Sequence, residues 1–453
     1  MENKSKKALI ITIKKMVPAV MIALIATALG LLSLYRSKVP MINDFGSMLT
    51  IGIVAAFIIA VLIFLPFLYI RDTHFPKKEN LKTKKEKSNK VIYKIVGFVI
   101  KIKYVILAVA VILAVLGIYV DQSAEAETNL ENFMPQDSEA LADIRELRNI
   151  IGSTEQIAII FEGENILTQN NLDSIALIEN DINLNMQGVI ETSSVIKLFN
   201  QIGISDTSLM NEVTLANLPN DQRKLFINDA YSKTVINISI AEMSDQEFTD
   251  FMNVLDAYIA SQTLDMDVTI TGQSVIDNEM MIALTTGRYE ITIIGLVLIF
   301  LSLLIIYRKF YRAILPIIPI ILIVGWSGGM MAIFNMSYTP LTATLGALIM
   351  GIGTEFTILI TERFEEEKLK TDNRNKAIKV ALSKMSNPIL VSALTTMGGF
   401  SALIFSDFII LSNFGIMTLV NLSLALLSTI LVLPAVLAIT FKKEAKEKTP
   451  LAS

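Results

Sequence analysis

Eight apolar segments, each long enough to cross a bilayer, dominate this chain and limit what it can fold into. They lie near residues 17–34, 46–70, 104–120, 289–307, 313–335, 341–361, 388–406 and 413–440. Crossing the hydrocarbon as a helix takes about 17–25 residues, and a backbone surrounded by lipid must satisfy its own hydrogen bonds. The expected fold class is an α-helical polytopic membrane protein with eight transmembrane helices. A cleaved leader is the alternative reading of the first segment. Against it, seven further spans follow, the second after only a short turn.

Composition narrows the chemistry. Hydrophobic residues make up 53% of the 453 positions and charged residues 18%, too apolar a balance for one soluble globule. There is one histidine, His74, and no cysteine, so Cys/His zinc sites, iron–sulfur clusters, cysteine nucleophiles and disulfides are excluded. No GxxxxGK[ST] loop occurs, which argues against an ATP motor within the chain. No nucleophile–base or metal-ligand constellation stands out between the spans. An enzyme is therefore not expected, nor a cofactor or metal.

Charge is strongly segregated. Residues 121–280 hold 28 acidic against six basic side chains, a balance of −22 that leaves +18 for the rest of a chain whose net charge is −4. The run "RDTHFPKKENLKTKKEKSNK" at 71–90 carries eight Lys/Arg and three acids. Nucleic-acid binding is one reading of such a run; beside membrane helices it reads instead as a basic cytoplasmic loop, with no nucleic-acid partner. Crossings counted from a cytoplasmic N-terminus place 71–103, 308–312, 361–387 and the "FKKEAKEK" tail inside, all of them Lys/Arg-rich. The acidic block falls outside. Both termini are then cytoplasmic.

The acidic block is long enough to be a domain. "QIAIIF" at 156–161, "TVINISIAEM" at 234–243 and "MDVTITGQ" at 266–273 read as strands. Helical spacing follows the first in "NLDSIALIENDINL" and separates the other two in "DQEFTDFMNVLDAYIASQTL", where Asp245 is the expected N-cap. Strand–helix–strand repeated twice predicts a small α+β domain.

The chain also repeats itself. "KKALIITIKKM" at 6–16 precedes "NKAIKVALSKM" at 375–385 by 369 positions; at the same offset "TALG" (27–30) matches "TMGG" (396–399) and "NDFG" (43–46) matches "SNFG" (412–415). "FLP" ending at Pro66 matches "VLP" ending at Pro434 after a one-residue slip. An ordered set with the same span–turn–span hydropathy argues for duplication. The expected organisation is then as follows: 1–70, the last two helices of a first repeat; 71–103, a basic cytoplasmic linker; 104–120, the first helix of a second repeat; 121–285, an extracytoplasmic α+β domain; 286–440, five further helices; and 441–453, a cytoplasmic tail. Four spans and a second outer domain are expected from elsewhere, as a missing N-terminal half or through a homo-oligomer.

This plan resembles half of a resistance–nodulation–division (RND) transporter, and within that superfamily the MmpL-like exporters of hydrophobic and amphiphilic molecules. Three stretches carry the resemblance: "MGIGTEFTILITERFEEE" (350–367), "SALTTMGGFSALIFSDF" (392–408) and "NFGIMTLVNLSLALLSTILVLPAVLAI" (413–439). It implies a plasma-membrane exporter driven by the proton-motive force, ferredoxin-like porter-type outer domains, lipid or another amphiphile as substrate, and an acidic proton-relay residue in the central helix. Glu355 falls on that position. The sequence departs from the pattern in having Glu where many members have Asp, and Phe356 where a tyrosine is common.

Glu355 is also singled out by cost, because a carboxylate inside an apolar helix is unfavourable by about 3 kcal/mol on the lenient scales. Ala347, Gly351 and Glu355 fall at i, i+4 and i+8 on one helix face, where small residues admit a neighbouring helix. Gly353 and Gly399 are expected to pack around the same relay, and Thr395 and Thr396 could turn hydroxyls toward Glu355. The alternatives are that Glu355 snorkels to the interface or bonds a neighbour for structure, and that the threonines bond their own backbone. Gly328 and Gly329 read as close packing or a kink rather than a substrate contact, and the "EEEKLK" run as a solvated cytoplasmic helix without chemistry. The competing function is a non-transporting lipid-sensing or scaffold protein of sterol-sensing type, or an inactive truncated product.

Overall fold

The computed structural model of the chain describes residues 2–74, 90–124, 126–127, 133–143, 146, 156–216, 220–241 and 243–440. The tail at 441–453 and most of the basic run lie outside the described residues. Two compact units emerge, a membrane unit of Met1–Glu127 with Ala283–Ser453, and an inserted domain, Thr128–Ile282.

In chain order, the first spans are α1 (Val17–Arg36) and α2 (Pro40–Arg71). A helix, α3 (Lys90–Lys101), precedes α4 (Lys103–Asp121). The inserted domain then supplies β1 (Gln156–Glu162), α5 (Gln169–Asn185), β2 (Val189–Ser193), β3 (Lys233–Ile240), α6 (Asp245–Ser261) and β4 (Asp267–Thr271). The chain returns through α7 (Gln273–Tyr307), α8 (Phe310–Ile333), α9 (Thr342–Lys368), α10 (Arg374–Phe405) and α11 (Ile409–Thr440). All eight apolar segments of the sequence are present as helices long enough to cross a membrane.

The basic linker expected at 71–103 is not all linker. Ile92, Val96 and Val99 recur at helical spacing and are buried, so α3 lays an apolar stripe against α10 and α11. A single stripe of this kind is easily lost among lysines in a linear reading.

Glycine permits a close helix contact between α4 and α8. A Cβ at Gly117 would collide with the Gly325 carbonyl oxygen, and one at Gly325 would lie 2.6 Å from that of Ala114. Trp326 seals the crossing by donating its indole N–H to the Ala110 carbonyl at 3.0 Å. In lipid such small-residue seams replace the hydrophobic drive that packs soluble helices. Gly117→Val is therefore expected to destabilise the membrane unit by about 1–3 kcal/mol through overpacking. Thermal unfolding in detergent checks this, with Gly398→Ala, whose added Cβ meets open space, as the unchanged control.

The inserted domain is one four-stranded antiparallel sheet in the order β2-β3-β1-β4. With α5 and α6 as crossovers this is the ferredoxin-like β-α-β-β-α-β arrangement. Ile157, Ile159 and Phe161 of β1 and Ile236, Ile238 and Ile240 of β3 alternate into a core closed by Leu172, Ile175, Ile178 and Ile182 of α5. The three strands expected from sequence begin within one residue of their expected starts, and β3 and β4 end three and two residues earlier than the apolar runs suggest. β2 is an addition: an edge strand, "VIETS", with a register shift between Val189 and Glu191. The N-cap of α6 is Ser244, one residue before the expected Asp245. Ser244 and Glu247 form a reciprocal capping box, and the Ser244 N–H and hydroxyl on the Glu247 carboxylate hold that group below its usual range.

Candidate functional site

The centre of the membrane unit is α9, which is largely buried among the other spans. Its glycine-rich start, "LGALIMGIG", lets neighbours approach on two sides. On one side α1 packs directly: Thr27 donates to the Gly351 carbonyl at 3.0 Å, and Gly30 lies under Ala347 and Met350. A Cβ at Gly351 would fall 2.8 Å from the Thr27 methyl. On the other side Gly353 faces Ile320 and Ile323 of α8. Ala347 and Gly351 thus share the face expected of them, whereas Gly353 serves a different neighbour.

Glu355 follows one turn after Gly351. It is half-buried, and none of the hydrogen bonds or ion pairs among the described residues involves it. The hydroxyls beside it are committed to their own helix, Thr354 to the Met350 carbonyl and Thr357 to that of Gly353. Thr395 and Thr396 of α10 behave in the same way, donating to Val391 and Ser392 at 2.8 and 3.0 Å rather than to Glu355. Backbone carbonyls four residues back are always within reach of a helical threonine, so this pairing prevails where no better acceptor is fixed nearby. The expected packing at Gly399 is not found among the described residues: a Cβ there meets nothing within 4 Å, and Gly399 is exposed.

Two charged groups at span boundaries, which the sequence does not single out, are deeply buried. Asp121, the last residue of α4, receives the Arg288 guanidinium at 2.7 Å and the hydroxyls of Tyr289 and Tyr338 at 2.6 Å each. Arg288 also donates to the Asp121 and Thr285 carbonyls at 3.1 and 2.9 Å, and lies over the rings of Tyr338 and Tyr289. Tyr338 sits in the turn before α9, where burial pushes its phenol far above the ordinary tyrosine value and keeps it a donor. Gly328 makes room for the carboxylate, since a Cβ there would fall 2.5 Å from Asp121 Cγ. A cavity of about 40 Å³ adjoins the cluster, lined partly by Thr292, Ser327 and Thr342. The signal available in sequence was an aspartate closing one span and an arginine opening the next, on either side of the inserted domain.

The opposite end of α9 carries a charge network rather than a solvated run. Glu367 is buried and bridges Arg363, Lys370 and Lys384 at 2.9, 3.1 and 3.5 Å, while Glu365 pairs with Arg312. The "EEEKLK" segment therefore fastens α9 to the helices on either side of it.

Comparison with known proteins follows this architecture. A membrane protein of Methanocaldococcus jannaschii is 25% identical over 369 residues, covering 77% of this chain and 94% of that protein. The sulfolipid-1 exporter MmpL8 of Mycobacterium tuberculosis is 23% identical over 204 residues, which are 44% of this chain but only 18% of the exporter. The solved hedgehog release protein Disp of the water bear Hypsibius dujardini superposes with a TM-score of 0.71 at 12% identity, over 95% of this chain and 59% of that one. SecDF, a translocon-associated membrane protein of Thermus thermophilus, gives 0.53 at 13% identity, over 95% of this chain and 49% of that one. At these identities the structural likeness speaks for the fold alone. The chain spans about half the length of these solved structures. The family model described as the MMPL family matches residues 134–449, the greater part of the inserted domain and all five spans after it, and the chain belongs to the MMPL family.

Proposed function

We propose that the chain works as one half of an exporter for lipids or other hydrophobic or amphiphilic molecules, driven by the proton-motive force, with Glu355 carrying the coupling proton. The observation that carries this reading is the placement of Glu355: a carboxyl group midway along the most buried span, with no partner among the described residues. An ionised carboxylate there is unfavourable by several kcal/mol, so its charge state can select between two arrangements of the bundle. In the cell membrane, basic loops would hold both termini in the cytoplasm and set the acidic inserted domain outside.

The internal repeat supports a second six-helix unit as partner, from another polypeptide or a second copy. Thr27 and Gly30 of α1 are covered by α9, whereas of their counterparts 369 positions later Thr396 bonds its own helix and Gly399 is exposed on α10. By the symmetry of the duplication, an equivalent central helix would fill that side.

The test is transport in vesicles reconstituted with the assembly purified from its native membrane, carrying a fluorescent phospholipid and an imposed pH gradient. Gradient-dependent movement of the lipid that a protonophore abolishes is the expected result. Movement indifferent to the gradient would remove the proton from the reading, and a gradient that leaves the lipid unmoved would favour the scaffold function.

A further inference from the structure

Asn421 lies near the middle of α11 and is 3% exposed, yet neither its amide oxygen nor its amide nitrogen has a hydrogen-bond partner among the described residues. Both ends are unpaired, so exchanging oxygen and nitrogen does not help. In hydrocarbon an unpaired polar group costs several kcal/mol, and buried polar groups of this kind call for a reason. The counterpart in the first repeat, at an offset of 369, is Gly52, so the amide belongs to one repeat only.

Beside Asn421 is a cavity of about 10 Å³, room for roughly one water. Leu348 and Ile352 of α9 form one wall, and Thr418 and Asn421 of α11 form the polar part of the other. The Thr418 hydroxyl donates to the Phe414 carbonyl at 2.7 Å, which leaves its oxygen able to accept. A water here could accept from the Asn421 nitrogen and donate one hydrogen to the Asn421 oxygen or to Thr418, which leaves its second O–H free to point along α9. Leu348, Ile352 and Glu355 fall at i, i+4 and i+7 on α9, so Glu355 is on the same face, about 4.5 Å further along the axis than Ile352.

We propose that Asn421 is a hydration site in the middle of the membrane, holding the water through which Glu355 exchanges its proton with the Asp121 end of the bundle. The proposal rests on Glu355 as the proton carrier. In the loading step the bridging water gives a proton to the Glu355 carboxylate and takes one from the next water toward that end, so charge and protons balance. Asn421 neither gains nor loses a proton. It is a positioning residue: it fixes the water and compensates its loss of bulk solvent.

The test reads the proton of Glu355 directly, without transport. The protein in lipid nanodiscs is transferred to heavy water, and the deuterium shift of the protonated carboxyl stretch is followed by infrared spectroscopy. The Glu355 band is identified by its absence in Glu355→Gln. Asn421→Leu is expected to slow exchange at that band at least tenfold, whereas Asn421→Ser, smaller but polar, stays within about threefold of the parent. Asn421→Leu exchanging within threefold would overturn the proposal, as would Asn421→Ser slowing as much as leucine, which would make the effect one of packing. Should the parent show no protonated band that Glu355→Gln removes, it is the proton-carrier reading that fails, and the proposal with it.

Discussion

Arg288→Met is expected to destabilise the membrane unit by about 3–5 kcal/mol, the usual consequence of removing one member of a buried ion pair. The magnitude follows from what is left behind. Asp121 would keep two tyrosine hydroxyls but lose its only counter-charge among the described residues, in a site where both side chains are less than a tenth exposed. The Asp121 main-chain carbonyl would lose its guanidinium donor as well. Asp121→Asn combined with Arg288→Met should recover much of the loss, since the amide oxygen still accepts from the tyrosines and no charge remains unpaired. Thermal unfolding of the detergent-solubilised protein checks both. A single variant that melts with the parent would mean the pair is solvated and unimportant. The position of the pair adds interest, because α4 ends and α7 passes at the two points where the chain leaves the membrane unit and returns. Asp121–Arg288 ties those two strokes of chain together.

The features legible in the sequence are those written over many residues at once. Eight long apolar runs and the alternating isoleucines of β1 and β3 each repeat their signal, and all form the elements expected of them. The remaining features depend on a few atoms of tertiary context. β2 carries glutamate and threonine on a sheet edge, and only pairing with β3 makes it a strand. Asp121 and Arg288 are 167 positions apart, so nothing local declares that they neutralise each other. Asn421 is one polar residue in a largely apolar run, and its lack of a partner among the described residues shows only when α9 and α11 are placed side by side. The same holds in reverse for Thr395 and Thr396: their types suited a relay, but helix geometry offered nearer acceptors.

Glu355→Gln is expected to abolish gradient-driven transport by the complete assembly while leaving the fold intact. Glutamine keeps the size of the side chain and its hydrogen-bonding atoms but cannot lose or gain a proton near neutrality. No Glu355 ion pair exists among the described residues, so the substitution leaves no buried charge stranded, in contrast to Arg288→Met. Thermal stability should therefore stay within about 0.5 kcal/mol of the parent. The two measurements together decide the role. Transport lost with stability kept locates the defect in titration, because the only change is the ability to ionise. If transport and its pH dependence both persist, the carboxyl is structural and α9 merely tolerates it. Glu355→Asp sharpens the comparison, since it retains an ionisable group one methylene shorter. A relay that needs only a proton carrier should then run at a reduced rate, with its pH dependence preserved. If Asp fails as fully as Gln, reach matters as much as charge, and the distance from Glu355 to its proton source becomes the controlling quantity.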